Sequence, residues 1–112
     1  MSHFSFAQEK EIQQTIETFF KAFHLRDSIA LKQVCSENLV LHSVSENAKG
    51  TKFSVEKASD FYKSIASIPT TMTFEEKIVN YKIQLDGSMA HVWTPYEFYV
   101  NGKLSHSGVN SF

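Results

Sequence analysis

The spacing of apolar residues predicts three helices in the first two thirds of the chain. The first covers about residues 6 to 25. Asp27 can accept hydrogen bonds from free backbone N–H groups, which predicts a second, shorter helix that ends near Glu37. A third begins at Ser54 and must end before Pro69. The apolar face of the first helix carries Ile12, Ile16, Phe19, Phe20 and Phe23.

After the third helix the pattern changes from helical to alternating, which is typical of strands. Asp86-Gly87 and Asn101-Gly102 separate the strands, and Asn-Gly between strands strongly indicates a hairpin because both central residues of a type I′ turn need positive φ. Helices followed by antiparallel strands predict an α+β fold, with the helices on one face of the sheet. Strands are predicted over residues 39–45, 74–85, 90–100 and 103–112.

The last hairpin has a predicted register. With a two-residue turn, counting outward pairs Glu97 with His106 and Trp93 with Asn110, so these four side chains share one face. Both faces are too apolar to be left in water, so one should pack on the helices and the other needs a partner. The opposite face carries Val92, Thr94, Tyr96, Phe98, Val100, Ser105, Ser107 and Val109.

This order of elements, and the stretch "VWTPYEFYVNGKLSHSGVNSF" in particular, resembles the nuclear transport factor 2 (NTF2)-like superfamily. Within it, the chain is most similar to bacterial SnoaL-like or putative lumazine-binding members. The resemblance implies a single domain over residues 1–112, a cystatin-like α+β cone in which three N-terminal helices pack on a strongly curved antiparallel sheet. It also implies a conical ligand pocket and a homodimer formed through the outer sheet face.

The steroid isomerases of this superfamily help to orient the pocket. Alignment on Asp27 places their three catalytic positions at Phe19, Ser43 and Asn110, and none keeps the required residue type. Phe19 lacks a hydroxyl and Ser43 cannot abstract a proton without a basic partner, so isomerisation by that mechanism is not expected. The alignment does imply that Asn110 faces the cone.

From that orientation and the predicted register, Glu97 and His106 also face the cone. They are candidate catalytic residues, because a carboxylate beside an imidazole can form an acid/base pair. The alternative is a pair that only stabilises the sheet or orients a ligand. Ligand-binding residues are predicted to be Phe19, Phe23, Tyr62, Trp93 and Asn110.

The leading hypothesis is a small-molecule-binding protein with an aromatic-walled conical pocket, which forms a homodimer through Val92, Tyr96 and Phe98. One alternative is a metal-independent hydrolase, cyclase or isomerase of a small metabolite that uses Glu97 and His106. The other is a protein-interaction module without a ligand. No cofactor is expected, and His and carboxylate residues lack compact metal-ligand spacing.

Composition and charge narrow the partners and the cellular compartment that are expected for the protein. The formal net charge is -1, and the basic residues are scattered singly, so a nucleic-acid-binding surface is not expected. No run of apolar residues approaches the length of about 18 that a membrane span requires. The chain has one cysteine, Cys35, and no signal-peptide pattern, which favours the cytoplasm.

Similar family members usually carry a further strand after the position of "NSF" at the end of this sequence. The resemblance therefore implies a C-terminally truncated domain whose cone is open on one side.

Overall fold

A computed structural model describes residues 4–112. Within this range the chain forms three helices and six strands in the order α1, α2, β1, β2, α3, β3, β4, β5, β6. The α+β fold class is confirmed. Their bounds are Phe4–His24 for α1, Ser28–Val34 for α2, Leu41–Asn47 for β1, Gly50–Glu56 for β2, Ala58–Ala66 for α3, Phe74–Ile78 for β3, Lys82–Asp86 for β4, Met89–Val100 for β5 and Lys103–Ser111 for β6.

The helices form a layer against one face of the sheet. Asp27 caps α2 as predicted, because its carboxylate accepts a hydrogen bond of 3.0 Å from the backbone N–H of Ala30. The helix ends at Val34, earlier than predicted. No helix in the described range is long and apolar enough to cross a membrane. The core has two clusters: Ile16, Phe20 and Val92 join α1 to β5, and Ala22, Leu31 and Ile65 join the three helices.

Strand β5 is the centre of an antiparallel four-stranded sheet. One edge of β5 pairs with β3 along its C-terminal half and with β4 along its N-terminal half, and the other edge pairs with β6. The single strand predicted over residues 74–85 is therefore two strands. Residues 79–81 separate them, although the backbone N–H of Val79 still donates to the carbonyl oxygen of Pro95 on β5 at 2.9 Å.

Strands β1 and β2 form a separate hairpin, of which the sequence predicts only the first strand. The predicted third helix begins at Ser54, within β2, but Gly50 has a φ of 124° and the segment after it returns to pair with β1. Nearly all of the hairpin is exposed. One of its faces is apolar, because Val44 lies opposite Phe53 and Val55 follows on the same side, with exposed fractions of 71%, 58% and 65%.

Arg26 ties the end of α1 to the segment before β3. It adopts a positive φ of 58°, and its guanidinium donates to the backbone carbonyl oxygens of Pro69 and Met72. The same group lies 5.0 Å from the centre of the Phe74 ring, within cation–π range. These contacts hold the start of β3 against the helices.

The predicted turn between β5 and β6 is confirmed. Asn101 and Gly102 have φ angles of 49° and 77°, as a type I′ turn requires. The turn is also fixed to the segment before β3: the side-chain oxygen of Asn101 accepts from the backbone N–H and the hydroxyl of Thr73 at 3.0 and 3.2 Å. The backbone N–H of Asn101 donates to the Thr73 carbonyl oxygen at 2.8 Å.

The predicted register of this hairpin holds only next to the turn. Tyr99 pairs with Leu104 as expected, but the next residue of β5, Phe98, pairs with His106. Ser105 is thus an extra residue on β6, which is a β-bulge. From the bulge onwards, every predicted pair is wrong by one residue.

Asn101 should contribute to stability through its side-chain oxygen as well as its φ. Replacing it by Ala removes the acceptor for Thr73 and places at positive φ a residue that tolerates this backbone region less well than Asn, so we expect a loss of about 1–2 kcal/mol in the free energy of unfolding. Urea denaturation measures the change. Asn101→Asp is the matched control, since it keeps the acceptor and tolerates this backbone region; equal losses for Ala and Asp would contradict the role of the Thr73 contacts.

Candidate functional site

Core packing shows which side chains of β5 face the helices. Val92 is 2% exposed and packs on Ile16 and Phe20 of α1, and Thr94 is fully buried. Even-numbered residues of β5 therefore face the helices, and odd-numbered residues face away. The first set is called the helix-facing side of the sheet and the second the outer face.

The predicted pair of Glu97 and His106 does not form. His106 lies opposite Phe98 on the helix-facing side, where its ring stacks on Phe98 with centroids 4.9 Å apart. Glu97 lies on the outer face opposite Ser107, and its carboxylate accepts from the Tyr99 hydroxyl at 3.3 Å. The two side chains are on opposite sides of the sheet, so they cannot act as an acid/base pair.

Trp93 and the three predicted dimer residues each lie on the face opposite to the predicted one. Trp93 is on the outer face with 44% of its surface exposed, so it is not a pocket wall. Val92 is a core residue, and Tyr96 and Phe98 face the helices with it. These three side chains do not form an outer surface available to a second subunit. The one-residue bulge accounts for the difference, since it shifts β6 relative to β5.

The aromatic residues predicted on α1 pack against the helix-facing side of the sheet. Phe19 and Phe23 lie among a group of rings, called here the aromatic cluster, which joins α1 and α3 to the sheet. Each ring has a neighbour with a centroid separation of 5.1 to 6.5 Å. The cluster comprises Phe19, Phe20, Phe23, Phe61, Phe74 and Phe112.

Tyr62 is half-buried beside this cluster, next to Phe61. Burial, together with a hydrogen bond to Cys35, raises the pKa of Tyr62 to about 12, so its hydroxyl stays protonated at neutral pH. Cys35 is a free, half-buried thiol. Lys32 lies 5.3 Å from the centre of the Tyr62 ring. These contacts place Tyr62 in the packing between α2 and α3.

Asn110 faces the helices as expected, and it meets a residue that the sequence analysis did not select. Its side-chain amide lies 2.5 Å from Oε2 of Glu76 on β3, to which it donates a hydrogen bond. Burial raises the pKa of the Glu76 carboxyl, and the bond from Asn110 opposes that shift. The pair of Glu76 and Asn110 is called the acid–amide pair.

Tyr96 lies close to the acid–amide pair. Burial raises the pKa of Tyr96, and the negative charge of Glu76 adds to the effect. Its ring covers Gly108 on β6: a Cβ added to Gly108 would lie 2.7 Å from the Tyr96 hydroxyl oxygen and 3.0 Å from Cζ. Gly108 therefore provides the space in which the tyrosine lies.

His24, at the end of α1, holds the backbone of Glu76. Its Nε2 accepts a hydrogen bond of 2.9 Å from the Glu76 N–H, so the ring is neutral with its proton on Nδ1. Burial lowers the pKa of His24, and the nearby carboxylate of Glu75 partly offsets this. Among residues 4–112 no strand pairs with β3 on this edge, and His24 satisfies one of its free N–H groups.

The aromatic cluster and the acid–amide pair adjoin each other. On the helix-facing side, Phe74 is two residues before Glu76 on β3, and Phe112 is two residues beyond Asn110 at the end of β6. Glu76, Tyr96 and Asn110 are half-buried. This surface can therefore offer polar groups to a small molecule while aromatic rings contact its apolar part.

Only one member of the acid–amide pair borders a described groove. A groove of about 530 Å³ runs between α1 and β3 and is bordered by His24, Glu76 and Tyr81. Two others, of about 430 and 370 Å³, lie between α1 and β4 and beside the β5–β6 turn. None of the three is lined by Phe19, Phe23, Tyr62, Trp93 or Asn110. Glu76 therefore borders one of these grooves, and Asn110 borders none of them.

Two further histidines of the described range, His91 and His42, lie apart from the acid–amide pair. His91 is bonded to Ser111 at 2.7 Å, and His42 is exposed on the β1–β2 hairpin. Among residues 4–112, no group of three or more His, Cys, Asp or Glu side chains is placed to hold a metal ion.

Glu76 and His24 gave little signal in the sequence. Glu76 belongs to the run Glu75-Glu76-Lys77, which is typical of a solvated strand, and Asn110 is distant in sequence. The usable signal was alternation: Phe74, Glu76 and Ile78 have the period of a strand, so Glu76 shares its face with two apolar residues.

Comparison of the chain with protein-family models, with curated proteins and with solved structures found no match.

His24 should make stability depend on pH. Its pKa in the folded state is below the ordinary value of 6.5, so its contribution is complete above pH 6.5 and is lost as the pH falls through the folded pKa. Protonation removes the acceptor for Glu76, which should cost about 1 kcal/mol. In urea denaturation, His24→Gln, which keeps a neutral acceptor, should lose less stability than the wild type on acidification.

Comparing each variant with the wild type at every pH removes the opposite trend of Glu76, whose raised pKa favours the folded state at low pH. His42→Gln on the exposed hairpin is the control and should follow the wild type. Parallel curves for His24→Gln and the wild type would show that the neutral imidazole has no such role.

Proposed function

We propose that the chain is a small-molecule-binding protein of the nuclear transport factor 2 superfamily, of the SnoaL-like type, and that its ligand lies on the helix-facing side of the sheet. The observation that carries the proposal is the acid–amide pair: the half-buried carboxylate of Glu76 accepts a hydrogen bond from Asn110 and lies close to Phe98 and Tyr96. Partial burial of a carboxyl lowers stability, so its position beside these rings favours a binding role.

The order of elements supports the superfamily assignment. Three helices cover one side of an antiparallel sheet, a hairpin lies between the second and third helices, and a 12-residue strand, β5, pairs with three others. A bulge beside the β5–β6 turn adds twist and bends this part of the sheet. The finer description, a conical domain, is part of this proposal.

A planar probe with one hydroxyl, 2-naphthol, tests ligand binding by two-dimensional NMR. We expect chemical-shift changes at the Asn110 side-chain amide and along α1. Asn110→Ala should weaken binding by about 5- to 30-fold, which corresponds to the loss of about one or two hydrogen bonds. Ser111→Ala, whose side chain belongs to the outer face, is the neighbouring control. Shifts confined to the outer face, or equal affinities for the two variants, would contradict this location.

A second candidate is an acid–base enzyme that uses the same surface. Glu97 and His106 cannot serve it, but burial raises the pKa of Glu76, which is the direction that a general acid requires. The two functions differ in one result: an enzyme would lose turnover in Glu76→Gln at saturating substrate. The interaction-module alternative has no specific contact in its favour.

We also propose a homodimer, formed through the outer face in its corrected composition. The exposed apolar residues of that face include Trp93, Leu104 and Val109, with exposed fractions of 44%, 57% and 45%. They lie on the two neighbouring strands β5 and β6, where a second copy can cover them together.

The mass in solution tests the homodimer. Trp93→Glu places a charge on the outer face and should shift sedimentation equilibrium towards the monomer by at least about tenfold in Kd. Val44→Glu, on the separate hairpin, is the control for a charge added to another exposed apolar surface. A wild-type protein that stays monomeric at high concentration, or equal effects of both variants, would contradict the proposal.

A further inference from the structure

The groove between α1 and β3 has an apolar lining of the kind that holds small organic molecules. Its volume is about 530 Å³, within the usual range of ligand pockets. Phe20, a buried member of the aromatic cluster, borders it together with the half-buried Ile78 and Tyr81. These three residues pack in the same core cluster, so the lining is held by the fold itself.

The exposed charges on the two walls of the groove balance each other. On α1, Glu17 is followed four residues later by Lys21. On β3, Glu75 is followed two residues later by Lys77. Each wall thus carries one carboxylate and one ammonium group. Because these groups are exposed, water and salt screen them as well, and the walls give the groove no net charge.

Glu76 adds a charge that the walls do not balance. It is half-buried and borders the same groove. Its carboxylate accepts from the uncharged amide of Asn110, and among the described residues no lysine or arginine pairs with it. His24, which binds its backbone N–H, is neutral as well. A half-buried carboxylate without a counter-charge lowers stability, and a cation from outside the chain would supply that charge.

The carboxylate of Glu76 has an oxygen to offer to such a cation. Asn110 donates to Oε2, and no group of the described residues donates to Oε1. Oε1 is also accessible, because within residues 4–112 the buried side-chain polar atom that lacks a partner is Nε of Arg26. An ammonium group that donates to Oε1 forms a charge-assisted hydrogen bond, which is stronger than a bond between neutral groups.

The aromatic lining favours the same sign of charge. The face of an aromatic ring is negative and attracts ammonium groups. Tyr81 lies near Glu17, whose negative charge adds to burial in raising the pKa of the tyrosine. A ligand with a negative charge would meet Glu76 and these ring faces, so it is disfavoured.

We propose that the groove between α1 and β3 binds an organic ammonium ion, with Glu76 as its counter-ion and with the apolar body of the ligand against Phe20, Ile78 and Tyr81. The proposal rests on the proposed function, because Glu76 belongs to both, and it adds the charge of the ligand and the groove that holds it. Asn110 binds one carboxylate oxygen, and the ligand binds the other.

Three probes that share an indole ring and differ in charge test the ligand class: tryptamine, tryptophol and indole-3-acetate. Binding to the full chain at neutral pH is measured by two-dimensional NMR titration. We expect tryptamine to bind about tenfold or more tightly than tryptophol, because a hydrogen bond to a charged group is lost in the alcohol. Indole-3-acetate should bind most weakly. The shifts should centre on Ile78 and Tyr81.

Glu76→Gln tests the counter-ion. The glutamine has almost the same shape and keeps an oxygen that can accept from Asn110, but it has no charge. Its affinities for tryptamine and tryptophol should become nearly equal. Glu46→Gln, on the exposed β1–β2 hairpin, makes the same change in net charge far from the groove and should keep the preference for tryptamine. The spectrum of each free variant shows whether it is folded.

The wild-type protein decides the question even if Glu76→Gln does not fold. Equal binding of tryptamine and tryptophol, or shifts that lie away from the groove, overturns the inference. A preference for tryptamine that survives in folded Glu76→Gln, or that Glu46→Gln loses to the same extent, overturns it too. If none of the three probes binds, the inference is wrong while 2-naphthol binding at Asn110 still supports the proposed function. If 2-naphthol also fails to bind, the proposed function falls with it.

Discussion

The bulge at Ser105 determines the chemistry of both faces of the sheet. Without it, Asn110 would share a face with Trp93 and Glu97; with it, Asn110 shares a face with Thr94 and Tyr96. Side chains alternate along a strand, so one extra residue moves every side chain of β6 beyond the bulge to the other face of the sheet. The stacking of His106 on Phe98 and the position of Asn110 on the same face as Thr94 depend on that residue.

The acid–amide pair depends on a second constraint, at the opposite edge of the sheet. Strand β3 is only five residues long, and its outer edge is unpaired in the described structure. His24 satisfies one N–H of that edge, and Arg26 fixes the segment before it. His24 on α1 therefore positions the backbone of Glu76, and Asn110 on β6 positions its side chain.

The sequence predicted local structure well and long-range geometry poorly. The first helix, the Asp27 cap and the Asn101-Gly102 turn were found because each depends on residue types within a few positions. The bulge was missed because no residue type marks it: Ser105 is compatible with a regular strand. The β1–β2 hairpin was missed in part because Val55 fits the apolar spacing of a helix as well as that of a strand.

The candidate site shows the same division. Phe19, Phe23 and Asn110 were placed correctly on the helix-facing side, the first two by helical periodicity and the third by resemblance. Counting apolar residues on the two faces of β5 would have selected Val92, Tyr96 and Phe98 for the helices without an alignment. Glu76 could not be found that way, because a glutamate in a charged run is usually solvated, and only the three-dimensional structure brings Asn110 to it.

The position of Trp93 has a consequence for spectroscopy. It is the only tryptophan in the chain, and it lies on the outer face, separated by the sheet from the acid–amide pair. Indole emission responds to the polarity within a few ångströms of the ring, so the intrinsic fluorescence of this protein senses what touches the outer face. A blue shift of the emission should therefore report self-association through the outer face, and a ligand on the helix-facing side should leave the emission wavelength unchanged.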